Sequence, residues 1–155
     1  MQIRPVDPDE VEALVDQLWV PLAEEMARVN SYHALTDDAR EKVLAYKRDL
    51  VESDEARTLV AVESGTLVGY VSAEVQPSAP IFRRGDDLYV SEVYVDEDHR
   101  RGGIGSDLLN AIAAWGREQG CETVTVDVDV ANATARHLYE DLGFSHTRAK
   151  YRADL

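Results

Sequence analysis

The sequence contains little cysteine and little lysine, and it has no long apolar run. Among its 155 residues there is one cysteine, Cys121, which excludes an internal disulfide and a cysteine-based metal cluster. We expect Cys121 to be a small buried apolar residue rather than a reactive thiol. No apolar run approaches the roughly 20 residues that span a bilayer, and the first residues lack the apolar core of a signal peptide. We therefore expect a cytoplasmic protein without a membrane partner.

Acidic residues greatly outnumber basic ones. The chain has 30 Asp and Glu against 16 Lys and Arg, and its formal net charge is −14. This charge opposes nucleic-acid binding, because a duplex is bound by a basic face. Two explanations fit it: a negative surface that attracts cationic substrates, and an acidic, lysine-poor surface suited to a salt-rich cytoplasm. Composition alone is compatible with both.

The length and the uniform composition predict one domain over residues 1–155. The chain is close to the commonest domain size, and no repeat, low-complexity tract or Pro/Gly-rich linker divides it. The four histidines show no metal-ligand spacing, so no metal site is predicted.

Hydrophobic periodicity predicts a mixed series of strands and helices. The predicted strands cover residues 2–6, 58–62, 67–71, 88–95, 123–130 and 144–152. One helix opens at residues 7–9 and is interrupted near Pro21. A second helix follows residues 36–38, with Val43, Tyr46 and Leu50 on one face. Further helices cover residues 103–119 and 132–142. This order predicts a mixed sheet with helices on its faces, an α/β (α+β) domain.

A glycine-rich turn joins the strand at 88–95 to the following helix. Gly102, Gly103 and Gly105 have no Cβ, so the backbone can approach a ligand closely. The first N–H groups of the helix lack internal partners, and the helix dipole adds positive potential there. Arg100 and Arg101 add two cations. These features predict a pyrophosphate site.

Two common nucleotide-binding patterns do not fit this turn. A dinucleotide site of the Rossmann type would need a third glycine where Leu108 stands. A Walker loop would need Gly-Lys-Ser/Thr, and this turn contains no lysine. NAD and ATP are both disfavoured.

Two sequence elements together carry a resemblance to a known family. Arg100, Gly103 and Gly105 match Arg/Gln-x-x-Gly-x-Gly/Ala. A second segment matches Asn-x-x-Ala-x-x-Leu-Tyr-x-x-x-Gly-Phe through Asn132, Ala135, Leu138, Tyr139, Gly143 and Phe144. Both resemble the signatures of the GNAT superfamily of acetyl-CoA-dependent N-acetyltransferases. The resemblance implies a mixed, mostly antiparallel sheet with helices on both faces. Because eleven residues follow Phe144, we expect the family's closing strand pair to be reduced to one strand.

The resemblance also implies how acetyl-CoA is held as co-substrate. Main-chain groups of the strand would pair with the pantetheine arm, and the N–H groups of the turn would wrap the pyrophosphate. Asn132, which we expect to cap a helix, would touch the cofactor too. The predicted cofactor-binding residues are Val93, Tyr94, Val95, Arg100, Arg101, Gly102, Gly103, Ile104, Gly105, Ser106 and Asn132.

Two residues are predicted to be catalytic. Glu92 is the only charge within the strand 88–95, and ideal alternation places it on the side of Leu88, Val90 and Tyr94. A partly desolvated carboxylate there suits a general base; the alternative is a Glu92 that pairs with an arginine or faces solvent. The resemblance implies that Tyr139 assists the departing thiolate as general acid or hydrogen-bond donor, and the alternative is a core aromatic residue.

The sequence thus predicts an N-acetyltransferase that acts by direct attack of an amine in a ternary complex. We favour a small amine over a protein N-terminus as acceptor, with residues 30–36 and 76–87 shaping its pocket. Tyr32 and the apolar segment 78–82 would form a lip of that pocket or a homodimer contact. The alternative is a regulator that binds acetyl-CoA or CoA without turnover, in which Glu92 and Tyr139 do no chemistry.

Overall fold

The computed structural model describes residues 1–155, and a five-stranded sheet lies at its centre. The strands lie in the order β1-β2-β3-β4-β5; β4 and β5 are parallel, and the other neighbours are antiparallel. This confirms the predicted mixed, mostly antiparallel sheet. The strands are β1 (Gln2–Pro5), β2 (Ala56–Glu63), β3 (Thr66–Gln76), β4 (Asp87–Val95) and β5 (Thr123–Val126).

Helices cover both faces of the sheet, as predicted. The helices are α1 (Val11–Leu14), α2 (Val20–Val29), α3 (Ala39–Glu52), α4 (Ile104–Glu118) and α5 (Ala133–Asp141). Side chains of β2 alternate between the faces: Val60 packs with the side of α1, whereas Leu59 and Ala61 pack with α4. The first three helices cover one face, and α4 and α5 cover the other.

The first helical segment is interrupted before Pro21, as predicted. A π-helical turn, Val15–Trp19, separates α1 from α2, and the Val20 N–H donates to the Val15 carbonyl five residues earlier. Proline lacks an N–H, and its ring crowds the carbonyl four residues before it. A wider turn relieves that crowding.

The predicted apolar stripe of α4 is confirmed. Its predicted core residues Ile104, Leu108, Ile112 and Trp115 are all buried. Gly120, at φ 87°, follows the end of the helix. Cys121 comes next and is half-buried against this core, and burial raises the pKa of its thiol. None of the helices has the length and apolarity that crossing a bilayer requires.

The C-terminal part differs from the prediction in two places. β5 ends at Val126 rather than at residue 130, and residues 144–152 form no strand. β5 is the last strand of the sheet and pairs only with β4, so residues beyond their paired stretch have no ladder to join. Val130 is 79 % exposed. Residues 145–155 are all exposed, and their sequence offers no alternating apolar face to bury. The prediction of a closing strand is therefore wrong.

Candidate active site

The strands β4 and β5 separate part of the way along the sheet. Residues 87–90 of β4 pair with residues 123–126 of β5, but β4 continues to Val95 while pairing only with β3. One edge of β4 is therefore free beyond Val90. The sheet opens here into a gap at the carboxyl ends of its two parallel strands, the place where open α/β sheets bind ligands.

Main-chain groups of Val93 and Val95 face this gap. The Asp96 N–H donates to the Val68 carbonyl of β3 at 2.8 Å. Strand groups alternate between the two neighbours, so Tyr94 also bonds to β3, while Val93 and Val95 point to the free edge. Tyr94 was predicted to bind the cofactor. Its main chain is paired with β3, and its side chain is buried on the face that α1 covers. The structure therefore places Tyr94 away from the gap.

A β-bulge at Ser91 reverses the faces of β4. Glu92 pairs with Ser72 of β3, and Val90 pairs with Ala73, so Ser91 has no partner. The extra residue changes the alternation: Val90 packs beneath α4, whereas Glu92 lies on the face that α3 covers. The predicted common face of Glu92 and Val90 is therefore wrong, because ideal alternation ignores the bulge.

The Glu92 carboxylate forms an ion pair with Lys47 of α3. The Lys47 side chain is 6 % exposed, and that of Glu92 is 24 % exposed. The ammonium also lies 5.2 Å from the ring centroid of Tyr70. Burial, and then the charge of Glu92, raise the pKa of Tyr70 well above its ordinary value. The partner of Glu92 is thus a buried lysine, where the sequence suggested an arginine or solvent as the alternatives.

Sequence reasoning missed Lys47. Tyr46 was expected on the core-facing side of α3, but it is 54 % exposed, and Lys47 is the buried residue of this helix. Leu44 and Val51, three residues before and four after Lys47, pack against the apolar clusters of this face. A lysine inside an apolar stripe at helical spacing is the signal that could have found it.

Tyr139 lies on α5, on the opposite face of the sheet from Glu92. It is 7 % exposed and belongs to the apolar cluster beneath α4. Its ring lies 5.4 Å from that of Phe144 between centroids. Burial raises the pKa of Tyr139 to about 12. The phenol therefore keeps its proton at neutral pH and is available as a hydrogen-bond donor.

The turn before α4 presents a row of unpartnered N–H groups. The Arg100 N–H donates to Glu97, and the Asp107 N–H makes the first bond of α4, to Gly103 at 3.0 Å. The N–H groups of residues 101–106, between these two, have no carbonyl partner in the protein. Arg101 and Gly103 have φ of 68° and 83°, and such left-handed residues turn successive N–H groups toward one concavity that suits anions. No side chain caps α4.

The glycines of this turn leave room for a ligand. A Cβ on Gly102 would meet only the His99 carbonyl oxygen, at 3.8 Å, and a Cβ on Gly103 would meet nothing within 4 Å. On Gly105 it would contact Leu138 at 3.5 Å and Val95 at 3.8 Å. Packing against the protein therefore does not demand these glycines. Gly103 is favoured by its left-handed φ, and the open space around this turn lets a diphosphate approach the backbone.

The same contacts bring the turn, β4 and α5 together. Because Gly105 lies against both Val95 and Leu138, the start of α4 adjoins the free edge of β4. Leu138 directly precedes Tyr139 along α5. The turn, the free edge of β4 and α5, which carries Tyr139, thus adjoin one another.

The two arginines of the turn lie in different surroundings. The Arg100 guanidinium donates to Glu25 of α2 at 2.7 Å and to the Val95 carbonyl at 2.9 Å, and it lies 5.3 Å from the ring centroid of Tyr94. It therefore fastens the turn to the protein. Arg101 is exposed and forms no ion pair, so its cation is the one left for a phosphate.

The remaining predicted cofactor residues have distinct local roles. Asn132 accepts a hydrogen bond from the Ala135 N–H at 3.2 Å and caps α5, as predicted. Ile104 is 8 % exposed and packs in the core, so only its main chain faces the turn. Ser106 is half-buried in the first turn of α4.

Residues 30–36 border the gap side of β5. Asp129, just beyond β5, accepts hydrogen bonds from His33 Nε2 at 2.8 Å and Asn30 Nδ2 at 3.2 Å. Burial alone would raise the pKa of Asp129, but these hydrogen bonds, with the charges of His33 and Arg152, outweigh it and lower the pKa. The Arg152 guanidinium stacks 3.4 Å from the Tyr32 ring centroid. These contacts hold residues 30–33 against the segment that follows β5.

Residues 76–87 border a polar cleft of about 540 Å³, on the same face of the sheet as residues 30–36. Thr123 and Thr125 donate to the carboxylate of Asp87 on its floor, at 2.7 and 2.5 Å. Ile81 and Phe82, predicted as part of an apolar lip, are 84 % and 49 % exposed.

Comparison with known proteins agrees with this geometry. The model of the family described as "Acetyltransferase (GNAT) family" matches residues 19–144. N-alpha-acetyltransferase 30 of Homo sapiens is 26 % identical over 150 residues, which are 96 % of this chain and 40 % of the human protein. Aminoglycoside N(6')-acetyltransferase type 1 of Salmonella typhimurium is 23 % identical over 118 residues, 72 % of this chain and 75 % of that protein. The chain thus spans about two fifths of the human relative's length.

A solved structure shares the fold over almost the entire chain. The aminoglycoside N-acetyltransferase AAC(6')-Iy in complex with CoA superposes with a TM-score of 0.76 at 20 % identity, covering 99 % of this chain and 93 % of that one. At this identity the likeness concerns the fold, and it confirms the predicted fold class.

Proposed function

The chain belongs to the acetyltransferase (GNAT) family, and we propose that it transfers the acetyl group of acetyl-coenzyme A directly to an amine in the gap between β4 and β5. The observation that carries the proposal is the row of unpartnered N–H groups at residues 101–106, next to the free edge of β4. The names of two relatives, an aminoglycoside acetyltransferase and an N-alpha-acetyltransferase, support an amine as acceptor.

The donor would lie along elements that are free to receive it. Its diphosphate takes the N–H groups of residues 101–106, with Arg101 supplying a cation. The pantetheine arm pairs with the N–H and carbonyl of Val93 and the N–H of Val95, since the Val95 carbonyl is used by Arg100. This path leads from the start of α4 to the gap. Pairing of an extended ligand with a free strand edge needs no particular side chain.

The reaction needs one bond to form and one to break. The amine nitrogen attacks the thioester carbonyl carbon, a C–N bond forms, and the C–S bond breaks to release the CoA thiolate. A free N–H on the edge of β4 stabilises the negative charge that develops on the carbonyl oxygen. Glu92 removes the proton of the attacking nitrogen, directly or through one water. No covalent enzyme intermediate is required.

Tyr139 acts in this scheme mainly as a hydrogen-bond donor. Its pKa is about 12, whereas an ordinary thiol has a pKa of about 8.5. Full proton transfer to the thiolate would therefore be uphill by roughly 5 kcal/mol. A hydrogen bond from the phenol to the sulfur costs no such transfer and still lowers the energy of the leaving group.

The two catalytic side chains lie on opposite faces of the sheet, and this arrangement suits direct transfer. The amine enters on the face of Glu92, and the sulfur leaves on the face of Tyr139. Asn30 and His33 donate hydrogen bonds to Asp129, and these residues narrow the path by which the amine enters. For this reason we favour a small primary amine over a protein N-terminus.

Release of CoA thiol tests the proposal. The protein is incubated with acetyl-CoA and a panel that contains a polyamine, an amino acid, an aminoglycoside and a peptide with a free N-terminus. We expect an amine-dependent rate well above hydrolysis for at least one small amine, and a loss of that rate in Glu92→Gln. Tight binding of acetyl-CoA with no amine-dependent thiol release from any acceptor would contradict transfer and indicate a CoA-binding regulator.

A further inference from the structure

We propose that Lys47 is a positioning residue, whose ammonium pairs with the Glu92 carboxylate and holds it on the acceptor side of the gap. Its catalytic consequence rests on the proposed function. The ion pair itself does not, and it can be measured separately.

Lys47 occupies a position that packing alone would give to an apolar side chain. It is 5 % exposed and lies on α3 between Leu44, which packs against the first helical segment, and Val51, which packs against the sheet. Lysine is among the residues least often buried without a partner. Well-packed apolar residues often stabilise a fold as well as, or better than, a buried ion pair. Stability therefore gives no reason for a lysine here, and its contact with Glu92 gives a functional one.

The ion pair orients Glu92. Lys47 binds one carboxylate oxygen, Oε1, and the buried Tyr70 hydroxyl also faces the carboxylate. The ammonium is the more deeply buried partner, so it lies behind the carboxylate as seen from the accessible side. Glu92 is the more exposed partner, so its carboxylate can take a proton from outside.

Lys47 is also the cation that compensates the charge of Glu92. The titratable or charged groups around this pair include Tyr70 and Glu74 of β3, Tyr94 of β4, Tyr46 of α3, and the pair of Glu25 and Arg100. The phenols and Glu74 carry no positive charge, and Arg100 is engaged by Glu25. Without Lys47, the half-buried carboxylate of Glu92 would protonate at a higher pH.

The test combines a pH profile with a double-mutant cycle. We expect Lys47→Met to lower kcat about tenfold or more at neutral pH and to move the acidic limb of the kcat profile to higher pH. The KM for acetyl-CoA stays within about threefold, because the donor binds elsewhere. Lys47→Arg restores the position of the limb, since it keeps the charge. In a Glu92→Gln background, Lys47→Met has no further effect on kcat.

A matched control lies on the same helix. Lys42 is exposed and pairs with Asp38, the residue just before α3, so Lys42→Met should leave kcat and its pH profile unchanged. An acidic limb that stays in place in Lys47→Met, or an equal loss of kcat with and without Glu92, would overturn the proposal and leave Lys47 a structural role.

A second readout does not depend on acetyl transfer. In protein labelled with ¹³C at glutamate carboxyls, we expect the Glu92 signal to titrate at higher pH in Lys47→Met than in the wild type. If Lys47→Met does not fold, the wild type is compared with Glu92→Gln, in which the Lys47 ammonium should lose its proton at lower pH. Unchanged titrations overturn the proposal. Shifted titrations in a protein that transfers no acetyl group would support the ion pair while refuting the proposed function.

Discussion

Glu92 and Tyr139 show how two side chains at one gap receive different environments. Tyr139 is buried among apolar residues, and burial is the cause of its raised pKa. Glu92 is half-buried but paired with a lysine. A phenol that keeps its proton and a carboxylate held by a lysine fit the two ends of the proposed acyl transfer.

Removing the Tyr139 hydroxyl should slow the reaction without weakening donor binding. We expect Tyr139→Phe to lower kcat about ten- to hundredfold, because a hydrogen bond to a charged sulfur is worth roughly 1.5–3 kcal/mol. The KM for acetyl-CoA should change little. Steady-state kinetics measure both. Tyr151, which is 95 % exposed, supplies the matched control Tyr151→Phe, and an equal kcat in Tyr139→Phe and the wild type would refute the role.

Ionisation of Tyr139 should also lower the free energy of unfolding in alkaline solution. The phenol loses its proton near pH 10 in the unfolded chain but near pH 12 in the folded protein. Between these values the unfolded state binds fewer protons, so the free energy of unfolding falls as pH rises, by up to about 3 kcal/mol. Urea unfolding at several pH values tests this.

In that experiment the free energy of unfolding of Tyr139→Phe should fall less steeply with pH than that of the wild type. Burial and Asp127 also raise the pKa of Tyr89 to about 12. Tyr89 contributes the same slope to both proteins, so its contribution cancels in the comparison. Identical slopes in wild type and variant would show that Tyr139 titrates normally.

At the scale of elements, the two ends of α4 allow binding and stability to be separated. Gly103 and Gly120 flank this helix at φ of 83° and 87°, and a Cβ on either would meet no atom within 4 Å. Alanine in this conformation costs about 1–2 kcal/mol at each site. We therefore expect Gly103→Ala and Gly120→Ala to lose similar stability, while only Gly103→Ala loses affinity for acetyl-CoA.

Calorimetric titration with acetyl-CoA and urea unfolding measure the two effects. Affinity lost equally in both variants would mean that binding follows global stability. Unchanged affinity in Gly103→Ala would show that the N–H groups at residues 101–106 do not hold the donor.

The elements predicted well are those that local sequence determines. α4 follows from apolar residues spaced three or four apart that end before Gly120, and the turn before it follows from the glycines that free its N–H groups. The cap of α5 by Asn132 is equally local. Each of these features depends on neighbours within about one helical turn, so a single sequence contains the needed information.

The features that could not be predicted depend on contacts between distant segments. The bulge at Ser91 arises from register with β3 and moves Glu92 to the other face. Lys47 meets Glu92 across 45 positions of sequence. Pairing of residues 144–152 with the outer edge of β5 would likewise join distant segments, and it does not form. Periodicity describes one segment at a time and contains none of these pairings.

For the whole molecule, the net charge of −14 predicts a stabilising effect of salt. Like charges on the surface repel each other, and between about 0.1 M and about 1 M salt the Debye length falls from about 10 Å to about 3 Å. We expect the free energy of unfolding to rise over this range of KCl. Urea unfolding measures it, and sucrose serves as the control for solute exclusion without screening.

The same series separates the two explanations of the acidic surface. If the charge serves to attract cationic acceptors, kcat/KM for a cationic amine falls with salt while that for a neutral one does not. If the charge serves folding in salt, the free energy of unfolding rises with salt, and kcat/KM stays constant for both amines. A protein most stable and most active in dilute buffer would contradict salt adaptation.

Binding of the donor by the turn at residues 101–106 can be observed atom by atom. The ¹⁵N-labelled protein is titrated with acetyl-CoA, and each backbone N–H is followed by NMR. We predict saturable shifts that are largest for the N–H groups of residues 101–106, together with shifts at Val93 and Val95. A titration that leaves this turn unshifted, or one whose largest changes fall in the polar cleft beside residues 76–87, would contradict the account.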